Sequence, residues 1–483
     1  MCDALTEGVL YFTVIFSPWA FGTTKDWSTW VMNVAGYALG LLLVAKWLIR
    51  WRTGGRVARW TESRDSDSAT AGSRAARLGR ACTATLAVLT ATILAYCLVG
   101  ALNARATYHH EFRRFDYFPC LDWLPHSYDR ASTWFSFWSY LALAAGFWAA
   151  RDWLLGRTAG DNQPVPEAPG SPRPAARLTR LLWVLSLNGT ALGLEGILQR
   201  LEGSGRLLWL VTPRFNFTAD AQFGPYAYRS NAAQYFNLLW PVCLGFWWWL
   251  RRVARRGDPA RARAGGSAHV VLLPCAVLLA ACPIISLSRA GALVAVLELG
   301  AAFAILLLAS RTAGWRTRVG LFGVFALVLG LGGFLGWEKL QTRLQKESVS
   351  GLGPRAEIYQ NARAMAADYP LWGLGPGTFA SLYQMYRTEP EFWAAQAHDD
   401  WIETRVTFGW AGFALIFAAL VVLLSRWAVG DGLAVSGVFA GLLGVAFAGC
   451  LAHAKFDFPF QVYSVLHLFL LLGAIAFAMT RKP

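Results

Sequence analysis

The stretch "AQAHDDWIETRVTFGWAGF" occupies residues 395–413, and the apolar run "ALIFAALVVLL" carries it on to residue 424. A hydrocarbon core of about 30 Å needs roughly 20 helical residues. Residues 402–424 supply that length, with a histidine and two aspartates gathered at the start. The stretch therefore reads as a membrane-spanning helix whose mouth is ionisable.

Apolar stretches of similar length recur outward from it, at 7–22, 29–49, 82–102, 132–150, 181–199, 231–250, 269–287, 291–309, 319–337, 432–451 and 461–479. The composition agrees: of 483 residues, 55% are hydrophobic, with 24 tryptophans and 30 phenylalanines, and this lies far from the usual soluble domain. The stretches are too long for barrel strands of about 10 alternating residues, so helices must satisfy the backbone in lipid. The expectation is an all-α polytopic membrane protein with about 12 transmembrane helices and a large outer loop carrying short helices between helices 9 and 10. The first stretch lacks a basic n-region and an A-x-A exit, so it reads as a retained span rather than a signal peptide.

Arginine sets the orientation. Arg50, Arg52, Arg56, Arg59, Arg64, Arg74, Arg77 and Arg80 lie between the second and third spans. Arg151, Arg157, Arg173, Arg177 and Arg180 follow the fourth, and "RRVARRGDPARARAGG" follows the sixth. These alternate loops share one face, which the positive-inside rule makes cytoplasmic, together with both termini. Much of the formal charge of +15 is therefore topological. The basic loops abut spans and lack interleaved aromatics, which argues against nucleic acid as a partner. The eight cysteines form no CxxC and suggest neither disulfide, zinc site nor redox role.

The cytoplasmic loops, such as "GDNQPVPEAPGSPRPAAR" at 160–177, have the composition of disordered tethers. The outer loops at 108–130, 200–231 and 338–400 mix aromatic and charged residues and are expected to fold. In the last, "WEKLQTRLQKE" reads as one short helix. "GPRAEIYQNARAMAADYP" reads as a second, with Ile358, Ala362, Met365 and Ala366 at helical spacing before Pro370. The chain divides into helices 1–5 (1–200), helices 6–9 (201–337), the outer loop (338–400) and helices 10–12 (401–483).

Four motifs stand at the outer ends of spans or in the outer loops: "YRSN" (228–231), "SLSRAG" (286–291), "GPRAEIYQNA" (353–362) and "AHDDWIE" (397–403). They place Arg229, Arg289, Arg355 and His398 at a similar membrane depth, where arginine is costly unless paired or used. Each has a plainer reading. Arg289 and Arg229 can be interfacial anchors, and Arg355 can pair with Glu357. His398 can cap the tenth span, and Asp399 or Asp400 can complement its macrodipole. "GLGPGTF" (373–379) lacks the lysine and Ser/Thr of a phosphate loop and reads as a turn.

Read in order, these motifs resemble the O-antigen ligase family of membrane glycosyltransferases, which is grouped with O-antigen polymerases and protein oligosaccharyltransferases. The resemblance rests on "GPYAYRSNAAQYFNLLWP", "SLSRAGALVAV", "RAEIYQNARAMAADYPLWGLGPGTF", "AHDDWIETRVTFGWAG" and "HAKFDFPFQV". It implies transfer of an undecaprenyl-pyrophosphate-linked glycan to a lipid A-core, glycan or protein hydroxyl, at the periplasmic face of the bacterial inner membrane. It implies no metal and no cofactor. Arg289, Arg229 and Arg355 are then the pyrophosphate ligands, since guanidinium forks neutralise such charge. His398 matches the family's loop histidine and takes the role of general base. Asp399 stands where relatives often carry asparagine, placed to orient the imidazole or to act as the base itself. Before span 6, many relatives read approximately Asn-Arg-Asn-His, and only Arg229 carries over. A polymerase or a protein-glycosylating enzyme fits the same motifs. A lipid-linked glycan flippase is the rival of another class, but it would place its charges nearer the membrane midplane.

Overall fold

The computed structural model describes the chain except residues 55–70, 159–160, 162–173, 257–268, 312–314, 316–317, 321, 335–353, 389–392, 427–432 and 481–483. It is mainly helical. The helices are α1 (Cys2–Trp19), α2 (Asp26–Thr53), α3 (Ala71–Leu102), α4 (Arg130–Leu154), α5 (Ala176–Glu202), α6 (Arg229–Arg256), α7 (His269–Ile285) and α8 (Arg289–Ala309). They continue with α9 (Pro354–Asp368), α10 (Phe379–Tyr383), α11 (Asp400–Ser425), α12 (Gly437–His453) and α13 (Tyr463–Ala478). A further apolar helix runs over Arg318–Phe334. Among the described residues α2, Arg77–Leu102 of α3, α5, α8 and α11 are long and apolar enough to cross a membrane, and α7, α12, α13 and Arg318–Phe334 are shorter apolar helices.

Among the described residues a helix overlaps each apolar stretch expected from hydropathy, with ends shifted by up to six residues, except that α3 begins eleven residues before the expected start at 82. The expectation of an all-α chain needs one correction. "ATYH" and "RFDY" pair as an antiparallel hairpin, β1 (Ala106–His109) with β2 (Arg114–Tyr117), and two-residue strands pair at Leu433–Ala434 and Met479–Thr480. Alternation explains the hairpin, for Ala106 and Tyr108 point inward while their neighbours do not. The tethers at 160–177 and 251–266 and the helix expected over "WEKLQTRLQKE" lie wholly or largely outside the described residues.

Helix α6 is the centre of the bundle. Phe236, Trp240, Phe246 and Trp249 along it are each at most 1% exposed. Around it pack α5, α7, α8 and α12. Where lipid tails are as apolar as leucine, close packing rather than water exclusion holds helices together, and small residues permit it. At Gly36 of α2 an added Cβ would lie 2.6 Å from the Ala142 carbonyl oxygen of α4, so those backbones touch. One end of the bundle is tied by charge. Lys46 bridges Asp3 at 2.9 Å and Asp152 at 3.0 Å, Arg50 forks onto Asp152, and Arg177 reaches Asp3 at 2.8 Å. This joins α1, α2, α4 and the start of α5 at the end that carries the arginine-rich loops.

At the opposite end α11 is broken. Gly409 has φ 58° and ψ −170°, and the chain around it pairs with the segment after α9. Leu374 and Gly375 donate backbone hydrogen bonds to Val406 and Thr407, and Trp410 and Ala411 donate to Pro370 and Leu371. The "GLGPGTF" amides at 374 and 375 are thus occupied by protein carbonyls, as a structural turn requires and a phosphate cradle does not permit. Met365, Ala362 and Ile358 of α9, buried at the expected helical spacing, pack with Leu374, Phe379 and Leu382 above the bundle.

Candidate functional site

The motif "AHDDWIE" begins α11, and its three carboxylates each fix a different piece of backbone. Asp399 is the N-cap, its Oδ1 accepting from the amides of Trp401 (3.0 Å) and Ile402 (3.1 Å). Its Oδ2 accepts from the Lys455 ammonium. Asp400 accepts from the Phe460 amide (2.7 Å) and the Gln461 side chain (3.1 Å), while Glu403 accepts from the Ala397 amide at 2.7 Å. All three are at most 4% exposed. The residue they enclose, His398, is held with φ +52°, a conformation that a β-carbon disfavours. Tyr359 donates to its carbonyl at 3.1 Å.

Held this way, the imidazole keeps 25% of its side-chain surface exposed and sets Nδ1 3.1 Å from Oδ1 of Asp457. Asp457 lies in the turn after α12 and is 1% exposed. Burial by itself would raise its carboxyl. The hydrogen bond from His398 and the surrounding positive groups, Arg355 among them, outweigh burial and hold it below the usual carboxylate value. An ionised carboxylate only accepts, so Nδ1 carries a proton, and in the neutral imidazole the lone pair is on Nε2. No described residue hydrogen-bonds Nε2. Phe458 packs against the imidazole with 4.9 Å between ring centroids, and Tyr228 lies at 6.3 Å.

Tyr228 extends the network. Its hydroxyl donates to Asp457 Oδ2 at 3.4 Å and accepts from Arg355 at 3.3 Å, and burial together with the Asp457 charge raises the phenol to about 12. Arg355 also donates to the Phe456 carbonyl at 3.1 Å. Arg355 therefore faces the tyrosine and the α12–α13 turn, and the Glu357 carboxylate is engaged by the backbone and hydroxyl of Thr388.

The remaining two arginines open neighbouring helices. Arg229 is the first residue of α6 and donates to the Asp220 carbonyl at 2.8 Å. Arg289 is the first residue of α8, behind the N-cap Ser288, whose hydroxyl accepts from Gly291. Ser230 and Ser288, one residue from each arginine, share a 2.8 Å hydrogen bond. A Cβ added to Gly291 would fall 2.4 Å from that of Ala233, so the first turns of α6 and α8 are in contact. Two helix N-termini, each opening on an arginine, thus meet, and a helix N-terminus and a guanidinium each favour an anion.

The segment 228–230 connects the two halves: Tyr228 enters the His398–Asp457 network, Arg229 follows, and Ser230 binds the α8 cap. Arg229, Arg355 and His398 belong to this connected assembly, and Arg289 follows directly on Ser288, which Ser230 binds. Asp399, the sequence neighbour expected to orient the imidazole, is turned to the helix cap and to Lys455, and Asp457 faces the ring instead. Asp457 and Tyr228 escaped sequence reasoning. The one available signal was the charged pair in "HAKFDFPFQV", an acidic residue in an outer turn otherwise rich in aromatics.

Residues 274–417 match the model of the O-antigen ligase family. That segment contains Arg289, Arg355 and His398 and stops short of Tyr228, Arg229 and Asp457. No curated protein matches the chain.

Proposed function

We propose, from the match of residues 274–417 to the model of the O-antigen ligase family, that this chain transfers a glycan from an undecaprenyl-pyrophosphate carrier to an acceptor hydroxyl at the periplasmic face of a bacterial inner membrane. In the transfer the bond between the anomeric carbon and the pyrophosphate oxygen breaks, and a bond from that carbon to the acceptor oxygen forms. The acceptor proton passes to Nε2 of His398. Asp457 holds Nδ1–H and stabilises the imidazolium that results, so its role is positional and electrostatic. The leaving lipid pyrophosphate gains negative charge, which Arg289 and Arg229 meet at the two converging helix N-termini, with Arg355 beside the base. No step calls for a metal or a nucleotide sugar.

The observation that carries this reading is the His398–Asp457 pair at 3.1 Å, joined through Tyr228 to the arginine cluster. A base and an anion site set side by side suit group transfer from a pyrophosphate. The acceptor class, whether lipid A-core, growing polysaccharide or protein, is part of the proposal only as a hydroxyl. The test is transfer in vitro by purified protein with a lipid-linked oligosaccharide donor and chelator present. Loss of product in folded His398→Ala supports the assignment, and wild-type turnover by that variant removes it.

A further inference from the structure

The outer loop between α5 and α6 carries five large apolar side chains turned out of the protein: Trp209, Leu210, Val211, Phe215 and Phe217 are 41%, 72%, 45%, 75% and 64% exposed. So many within nine residues is unusual for a surface in contact with water. The loop is held open rather than left loose. Buried Gln222 donates to the Gly205 carbonyl at 2.9 Å and the Asn216 carbonyl at 2.6 Å, and Gln199 donates to the Arg206 carbonyl at 2.7 Å. Leu207 and Val211 close a β-bridge. Leu208, Trp209 and Asn216 adopt left-handed φ of 52°, 58° and 57°, and at Gly205 a Cβ would meet the Phe217 carbonyl oxygen at 2.3 Å. Backbone strain at three non-glycine residues persists only where surrounding contacts impose it. Here the result is that the apolar side chains face outward.

We infer that residues 206–217 form an interfacial anchor that inserts its apolar side chains into the outer leaflet of the membrane and binds anionic lipid headgroups. Three features choose lipid as the occupant. The loop starts where α5, a helix long and apolar enough to span, ends at Glu202, so its place is the membrane surface. Residues 203–219 contain Arg206 and Arg214 and no acidic residue, which complements anionic headgroups. Tryptophan and phenylalanine beside arginine are the composition of interfacial segments, which bury apolar groups about 5–10 Å into the headgroup and acyl boundary. The anchor also sets the level of the arginine site, because Asp220 and Ala221, just after it, accept from the Arg229 side chain and amide. The inference is independent of the glycosyl-transfer reading, since it concerns the resting protein in a donor-free membrane.

The experiment is spin-label accessibility on the full chain in phosphatidylethanolamine/phosphatidylglycerol nanodiscs at one protein per disc, with labels at Phe215→Cys, Leu210→Cys and the control Ala367→Cys on α9. The expected result is oxygen accessibility exceeding nickel-chelate accessibility at 210 and 215, with the reverse at 367. Replacing phosphatidylglycerol by phosphatidylcholine should shift the labels at 210 and 215 toward water. The double variant Arg206→Gln/Arg214→Gln should abolish that lipid dependence. High nickel-chelate accessibility at 210 and 215 overturns the inference. So does exclusion of both reagents, which would indicate protein contact in place of lipid. Each label sits on an exposed side chain, and an unchanged elution profile and thermal transition establish that the variants are folded.

Discussion

The Nδ1 atom of His398 lies 3.1 Å from Oδ1 of Asp457, a carboxylate 59 residues further along the chain, in the turn that follows α12 and only 1% exposed. Asp399, the adjacent residue, points to the α11 cap.

This arrangement ranks the acidic residues. His398→Ala and Asp457→Asn should each lower turnover by about 10²- to 10⁴-fold, the range typical of general-base loss, with little change in donor affinity. Asparagine at 457 can donate to Nδ1, which forces the proton onto Nε2 and removes the basic lone pair. The double variant should be no worse than either single one, because the two residues act as a unit. Asp399→Asn preserves the cap and should keep most turnover, while Asp399→Ala should cost about 0.5–2 kcal/mol of stability. Initial rates and thermal transitions measured on the same preparations check the ranking.

Acid stability should report Asp457. Its carboxyl is held below the ordinary value of 3.8, so its contribution is complete above that pH and is lost as pH falls through the folded value. Thermal melting in detergent from pH 6 to pH 3 should show a decline below about pH 4 that is shallower in Asp457→Asn. Parallel curves for the two proteins would contradict the assignment.

Arg289→Lys should lose transfer nearly as completely as Arg289→Ala, because a point charge does not reproduce a planar fork on a pyrophosphate. Full activity of the lysine variant, measured at saturating donor, would return Arg289 to the role of an interfacial anchor.

Gly409→Ala should destabilise strongly. Its Cβ would lie 2.2 Å from the Leu371 carbonyl oxygen at φ +58°, a backbone contact with no flexible end to yield, and the strain alone is of order 1–3 kcal/mol. Gly300→Ala, in α8 with nothing within 4 Å, should instead gain about 0.5–1 kcal/mol. Paired melting curves compare the two.

Thr53→Cys and Ser204→Cys, in a background with half-buried Cys2, Cys82 and Cys120 replaced by serine, should label from opposite sides of the membrane. Labelling of both by one impermeant reagent would sink the assigned topology.

The apolar stretches, their arginine-rich connections and the helical face of Ile358, Ala362 and Met365 were legible because they depend on local quantities: hydropathy over about 20 residues, and a 3.6-residue period. The family motifs were legible too, since each is a short contiguous run. The partner of His398 was not, because a charge is recognised across space and not along the chain. Asp399 was the nearest acid in sequence, yet the α11 amides it caps turn it away, and the α12–α13 turn brings Asp457 to the imidazole instead. The break at Gly409 was hidden for the same reason, since its hydrogen bonds run to the distant segment at 370–375. The hairpin at 106–117 pairs neighbouring residues, and its four-residue strands are too short for their alternation to stand out in the sequence. Local composition thus determined which segments are apolar helices and which residues stand at their mouths. Tertiary packing alone decided which ionisable groups meet, because only the folded backbone sets the distances on which a hydrogen bond or an ion pair depends.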